Sequence, residues 1–224
     1  MILHQYPAVW GMNSLSPFCI KLETYFKIKK VDYEVKVELN PKRGPKGKMP
    51  FVTYNGEKIP DSSFIIKKLF PEDQLSLSDI AYKSLIEETL YFILLYSRWI
   101  DPEGYKVIRS EFYKLFPFKL GLLALPLIRR NLYKQADGYG ISRHSLSEVY
   151  SMGKDGIIAI SHRLGDRLYF CGSLAGQLDC IAFGFLQTVF RQPIESPLKK
   201  ELLKYQNLVD FIYRIEKEFD MYHP

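Results

Sequence analysis

An α+β chain, in which a βαβ-ββα unit is followed by an all-helical unit, is the architecture predicted by this 224-residue sequence. Three observations predict it. The apolar runs before about residue 72 are short and alternate like strands, apart from two helix-spaced segments. Asn55-Gly56 lies between two such runs, the strongest short-range hairpin signal in the chain. From Gln74 onward the apolar residues recur almost throughout at helical spacing. The expected units are residues 1–72 and 76–224.

Each element has its own reason. "ILHQY" near the start reads as a strand. Ser14-Leu-Ser-Pro-Phe-Cys19 then opens the amphipathic segment "IKLETYFKIKK", which predicts a helix over Pro17 to Lys30. Proline at the first helical position misses no N–H there, and the Ser16 hydroxyl is placed to cap the free amides. "YEVKVE" alternates as a strand, and the Pro-, Gly- and Lys-rich "NPKRGPKGK" is a loop. "PFVTYNGEKI" forms the hairpin, and "DSSFIIKKLF" begins with capping residues and continues as a helix. Beyond Pro71, "IAYKSLIEETLYFILLYSRWI", "SEVYSMGKDGIIAISHRL" and "LDCIAFGFLQTVF" carry long helical periodicity, with no internal repeat.

Composition narrows the function classes. With 47% apolar residues the chain can bury a sizeable core. Its longest nearly uncharged run, "LGLLALPLI", is well short of the roughly 18 residues a membrane span needs, so a soluble, unprocessed protein is expected. Cys19, Cys171 and Cys180 have neither zinc spacing nor a paired framework, which suits a reducing cytoplasm and implies no metal. The net charge of +6 is spread through the chain without interleaved aromatics, so solvated lysine faces are expected and nucleic acid is not a partner.

Several segments carry a family resemblance. The βαβ-ββα unit with helices after it resembles the glutathione transferase fold, whose first part is thioredoxin-like. "SPFCIKLETYF" resembles that family's opening of the first helix, "KMPF" its proline-led third strand, and "DSS" its ligand-binding turn. More narrowly, the chain resembles the failed-axon-connections and metaxin-like branch from about residue 2 to 222. Gly140-Ile-Ser-Arg-His-Ser145 is similar to that branch's Gly-x-Gly-Arg-His-Ser element, and "LGDRLYFCGSLAGQLDCIAFGFL" to its segment running through a buried helix. There are two departures. Ser142 replaces the second glycine, and Gly176 stands where transferases place a Ser or Thr cap, a change costing only a few tenths of a kcal/mol.

The resemblance implies glutathione as co-substrate and a catalytic turn at Ser14, Ser16 and Cys19. A thiol with a pKa near 8.5 needs roughly 2.7 kcal/mol of thiolate stabilisation to drop two units. One hydrogen bond to a charged group supplies about 1.5 to 3 kcal/mol, so a serine hydroxyl at a helix end suffices. Ser14 and Ser16 are alternatives for that role. Cys19 could be activated by the same helix end, but it matches only the second cysteine of a Cys-Pro-x-Cys motif, and a small residue packed beneath the helix is the simpler reading.

The resemblance also makes Pro50 a cis proline, with the Met49 backbone pairing with the bound tripeptide as an added strand does. Asp61 and Ser62 cap a helix at minimum, and can also hold the ligand's α-ammonium and carboxylate. Lys46 and Lys48 can meet its glycyl carboxylate. Arg143 and His144 line an acceptor pocket or form a structural pair, while His4, His162, His223 and Asp179 are not assigned to chemistry.

Two functions follow as expectations. One is an enzyme that activates the glutathione thiol for conjugation to, or reduction of, a small hydrophobic electrophile. The other is a non-catalytic, metaxin-like adaptor that has kept the fold. The resemblance adds homodimer formation. The runs "KLFPFKLGLLALPLIRR" and "YFILLYSRW" raise contact with a membrane surface or a second subunit, against core helices as the plainer reading.

Overall fold

A computed structural model describes residues 1–115 and 121–224. Strand β1 (Ile2–Gln5) leads through a tight loop into helix α1 (Pro17–Ile28), and β2 (Glu34–Val37) follows. After the lysine-rich loop, β3 (Phe51–Tyr54) and β4 (Glu57–Pro60) form the hairpin, and α2 (Ser62–Leu69) closes the unit. The sheet order is β2-β1-β3-β4, with β1 parallel to β2 and antiparallel to β3. Asn55 and Gly56 both have positive φ, which is what a two-residue hairpin turn between Tyr54 and Glu57 requires.

The remainder is helical. It comprises α3 (Leu77–Ser84), α4 (Tyr91–Trp99), α5 (Pro102–Leu115), α6 (Gly121–Tyr139), α7 (Leu146–Leu164), α8 (Gln177–Arg191), α9 (Pro197–Leu202) and α10 (Gln206–Glu218). Between α3 and α4 the chain winds as one wider π-helical stretch, Leu85–Leu90, so the helix expected over residues 80–100 is continuous but locally expanded. Helix α1 ends two residues before the expected Lys30, which adopts positive φ and stops it.

The helical core is built on α8, whose residues Leu178 to Val189 are all buried. Gly184 makes its packing on α1 possible: an added Cβ would lie 2.4 Å from the Pro17 carbonyl oxygen. The two backbones therefore meet directly, and α1 is clasped between the sheet and α8. A second apolar cluster under the sheet joins Leu3, Leu22, Tyr25, Phe26, Val52 and Ile65.

The run "YFILLYSRW" is core, since Ile93 through Trp99 are all buried on α4. The other run proposed for a membrane or subunit contact falls largely on residues 114–123, outside the described side chains. Among the described residues no helix is long and apolar enough to cross a membrane.

The Gly176 departure has a steric reason. Helix α8 begins at a glycine because Cys171 fills the neighbouring space: a Cβ on residue 176 would sit 2.7 Å from the Cys171 sulfur. Asp179 compensates by accepting from the amides of Phe170 (2.7 Å), Cys171 (3.2 Å) and Gly176 (3.0 Å).

Candidate functional site

The loop from β1 to α1 is fixed mainly by backbone contacts. The Leu15 amide donates to the Pro7 carbonyl at 2.9 Å, and the Ser16 carbonyl accepts from the amides of Cys19 and Ile20, both at 3.0 Å. Ser14 is fully buried: its hydroxyl donates to the Tyr6 carbonyl at 3.0 Å and accepts from the Ser16 amide at 3.4 Å. Ser14 is thus a structural member of the turn. Ser16 is half-buried and, contrary to expectation, its hydroxyl caps none of the helix amides. Of the two serines, Ser16 is the one whose side chain the turn leaves uncommitted to its own backbone.

Cys19 occupies the packed position beneath the helix that was the simpler of its two readings. It is completely buried, packed with Met49 and Phe51 beside Tyr6. Burial pushes its thiol up to about 11, although the Tyr6 backbone and the hydroxyls of Ser14 and Ser16 pull the other way. The helix end does not win over desolvation here.

Of the expected partners, Met49 reaches the turn itself and Pro50 links it to Asp61. The Met49–Pro50 peptide is cis, and buried Met49 shares the small cluster with Cys19, bringing the head of β3 against the turn. The Pro50 carbonyl accepts from the Asp61 amide at 3.3 Å, tying the proline to the start of α2. Asp61 has φ of 72°, an unusual backbone for a non-glycine residue, and its Oδ1 accepts from the amides of Ser63 (2.9 Å) and Phe64 (3.3 Å). Those two amides are therefore not free for a ligand carboxylate, which narrows the expected role of the helix end to Ser62, itself buried. Lys46 folds over the Phe64 ring with its Nζ 4.3 Å from the centroid, so the lysine-rich loop lies along the same edge; Lys48 is exposed.

Two buried cations complete the surroundings. On α1, the fully buried Lys21 ammonium meets Glu87 at 2.5 Å and donates to the Ser63 hydroxyl at 2.8 Å, joining α1, α2 and the π-helical turn. Burial lowers its pKa and Glu87 opposes that shift. On α4, buried Arg98 donates from Nε to Gln192 at 2.8 Å and from Nη1 to the Leu15 carbonyl at 3.1 Å. Burial pulls its guanidinium down to about 9, which leaves it a cation at neutral pH. Sequence reading missed both, because a single Lys or Arg in an apolar segment is normally solvated. The one available signal was position: Lys21 lies between Ile20 and Leu22, and Arg98 between Ser97 and Trp99.

Of the remaining candidates, Arg143, His144 and His223 have partners close by in the sequence. Arg143 lies 3.7 Å from Asp137, and His144 lies 4.0 Å from Glu148, itself part of the Ser145 capping box at the start of α7. These are two separate local contacts, whereas the sequence suggested one Arg-His pair. His4 is buried, stacked on Phe51 and bonded to Thr53 at 3.0 Å. His162 is exposed, and His223 gains a contact with Asp220 at 3.8 Å.

Comparison with known proteins places these features in a lineage. The family model described as glutathione S-transferase N-terminal domain matches residues 17–104, and that described as glutathione S-transferase, C-terminal domain matches residues 153–215. The chain is 29% identical to Failed axon connections of Drosophila melanogaster over 96% of its own length and 56% of that protein's, so it spans little more than half of that relative. It is 26% identical to the isoprene-epoxide glutathione S-transferase of Rhodococcus sp., covering 98% of this chain and 99% of that one. It is 30% identical to metaxin-3 of Xenopus laevis, covering 90% and 71%. Among solved structures, a Ceriporiopsis subvermispora glutathione S-transferase in complex with glutathione superposes with a TM-score of 0.56 at 17% identity, covering 100% of this chain and 97% of that one.

Proposed function

Because the chain belongs to the glutathione S-transferase superfamily, in its failed-axon-connections and metaxin-like branch, we propose that it binds glutathione and activates the thiol for attack on a small electrophile. One observation carries the reading: the half-buried Ser16 hydroxyl stands at the N-terminus of α1 without capping it. A thiolate beside it would receive one hydrogen bond and the positive end of the helix. The carbonyl-to-amide link from cis Pro50 to Asp61 sets the strand head and α2 at fixed spacing around that point. In this reading the Met49 backbone pairs with the cysteinyl unit. The outer carboxylate edge of Asp61 meets the α-ammonium, Ser62 the adjoining carboxylate, and Lys48 or Lys46 the far one. The positive φ of Asp61 is the kind of local strain that persists at ligand clamps.

The chemistry is a substitution or addition. The thiol proton leaves to solvent, the sulfur lone pair forms the bond to carbon, and the electrophile's leaving group or opened ring takes the electrons. Ser16 stabilises the thiolate and Cys19 stays out of the reaction. The test is a screen of small epoxides and aryl halides with glutathione, followed by Ser16→Ala and Cys19→Ala. Ser16→Ala lowers turnover about 10- to 100-fold, the loss of a charge-assisted hydrogen bond, with affinity nearly unchanged. Should Cys19→Ala abolish activity while Ser16→Ala keeps it, the assignment is wrong.

The similarity to metaxins and to Failed axon connections supports a second reading, a non-catalytic adaptor that keeps the fold. The two diverge on glutathione binding, which the adaptor does not need.

A further inference from the structure

Arg98 carries an electrostatic problem that the fold leaves open. It belongs to α4 in the helical unit, yet its Nη1 reaches the Leu15 carbonyl, the peptide group whose nitrogen is that of Ser16. Its Nη2 is buried with no hydrogen-bond partner, and so is the Nε2 of its neighbour Gln192. Among the described residues no carboxylate pairs with Arg98; the Trp10 ring lies 5.7 Å from the guanidinium carbon. A buried cation without a counter-charge is expensive, and replacing it by an apolar side chain would ordinarily cost little or even stabilise. Its two hydrogen bonds, to Gln192 and the Leu15 carbonyl, account for the side chain's place but not for an uncompensated charge there.

The reason lies in what the cation faces. Apart from Lys21 on α1, which is held by Glu87 and Ser63, and Lys199 on α9, the groups around the turn are neutral or acidic. Tyr6 follows β1 and Tyr91 opens α4, both phenols pushed up by burial, while Cys19 and Glu23 lie on α1. Glu111 on α5 accepts from Trp10 at 3.4 Å, and Lys199 on α9 donates to the Gln192 carbonyl at 3.3 Å. Glu23 is held by Gln5 (2.8 Å) and Asn13 (3.0 Å). Arg98 is thus the buried positive charge fixed to the turn's own backbone.

We propose that Arg98 is a positioning residue for this turn: its guanidinium holds the Leu15 carbonyl and supplies the positive potential that favours a thiolate over a thiol beside Ser16. This deepens the reading of the turn as a thiol site, and it makes the helical unit a contributor to thiol activation. Covalent geometry puts the guanidinium within roughly 8 Å of the Ser16 hydroxyl. At an effective dielectric near 20, a unit charge at that range lowers a thiol pKa by about one to one and a half units.

A protein-borne thiol tests this without glutathione. In Ser16→Cys combined with Cys19→Ala, which prevents a disulfide between residues 16 and 19, the alkylation rate of residue 16 by iodoacetamide is followed against pH, with the modified cysteine located by fragment-ion mass spectrometry. The titration is repeated with Arg98→Met, Arg98→Gln and Arg98→Lys added, each checked for a native circular-dichroism melt. The expected result is a pKa at position 16 about one unit higher with Met or Gln, and within a few tenths of the parent with Lys. A purely structural Arg98 would instead leave the titration fixed, or move it equally for Gln and Lys, and that result overturns the proposal. If Arg98→Met fails to fold, the Gln and Lys pair decides alone. Failure of the wild-type protein to bind glutathione would count against the function proposed above without altering this readout.

Discussion

The Lys21 ammonium lies 2.5 Å from the Glu87 carboxylate with the lysine side chain wholly buried, so a single ion pair ties α1 to the π-helical turn of the helical unit. Among the described residues, removing Lys21 leaves the nearly buried Glu87 with only its longer contact to Lys83, at 3.8 Å. Lys21→Met is therefore expected to lower stability by about 3 to 5 kcal/mol, and the double change Lys21→Met with Glu87→Leu to recover most of it. Urea unfolding of the parent and the two variants measures both numbers. A single variant as stable as the parent would show that the pair carries no such weight.

Gly184 should tolerate no side chain. Its missing Cβ is what lets α8 touch the Pro17 carbonyl at the head of α1. Gly184→Ala forces the two backbones apart and is expected to cost about 1 to 3 kcal/mol, the usual penalty of overpacking. Because α1 begins at the candidate site, ligand affinity should fall with stability, which a melt and a titration on the same sample would reveal.

Gly176 and Cys171 should be coupled. Serine is ordinarily the better helix cap by a few tenths of a kcal/mol, yet Gly176→Ser alone is expected to be neutral or destabilising because the Cys171 sulfur occupies its space. With Cys171→Ala added, the serine should become stabilising. A double-mutant cycle with a coupling energy near zero would contradict this.

The cysteines give a pH dependence. Burial pushes Cys19 up to about 11 and Cys180 well above its ordinary value. An acid whose folded pKa is raised stays protonated in the folded state while the unfolded chain ionises. Stability is thus fully present below about pH 8.5 and is lost above it, at about 1.4 kcal/mol per thiol per pH unit up to the folded pKa. Denaturant melts from pH 7 to 10 should show this extra slope, and Cys19→Ala should reduce it.

Much of the fold was legible because its signals are local. Asn55-Gly56 specifies a turn by its own φ preferences, Pro17 a helix start, and the spacing in "LDCIAFGFLQTVF" a buried helix. The Asp61 cap was legible for the same reason, whereas the cis form of Pro50 followed from the family resemblance and not from the residue itself. What escaped was long-range. Ser14 and Ser16 are equivalent in sequence, and only the Tyr6 carbonyl distinguishes them. The helix-end effect on Cys19 was offset by burial among Met49 and Phe51, residues some thirty positions away. Lys21 and Arg98 became visible only when their distant partners, Glu87 and Leu15, were in place.

In the function proposed above, the turn, Met49 and the Asp61–Ser62 helix start form a glutathione site. Calorimetric titration with millimolar glutathione tests it most directly, using the parent protein and Asp61→Ala. Saturable heat is expected from the parent, with affinity weakened by about 1.5 to 3 kcal/mol in the variant, the scale of a charge-assisted hydrogen bond. No heat from the folded parent, or equal affinity in both proteins, would contradict the account and favour the adaptor reading.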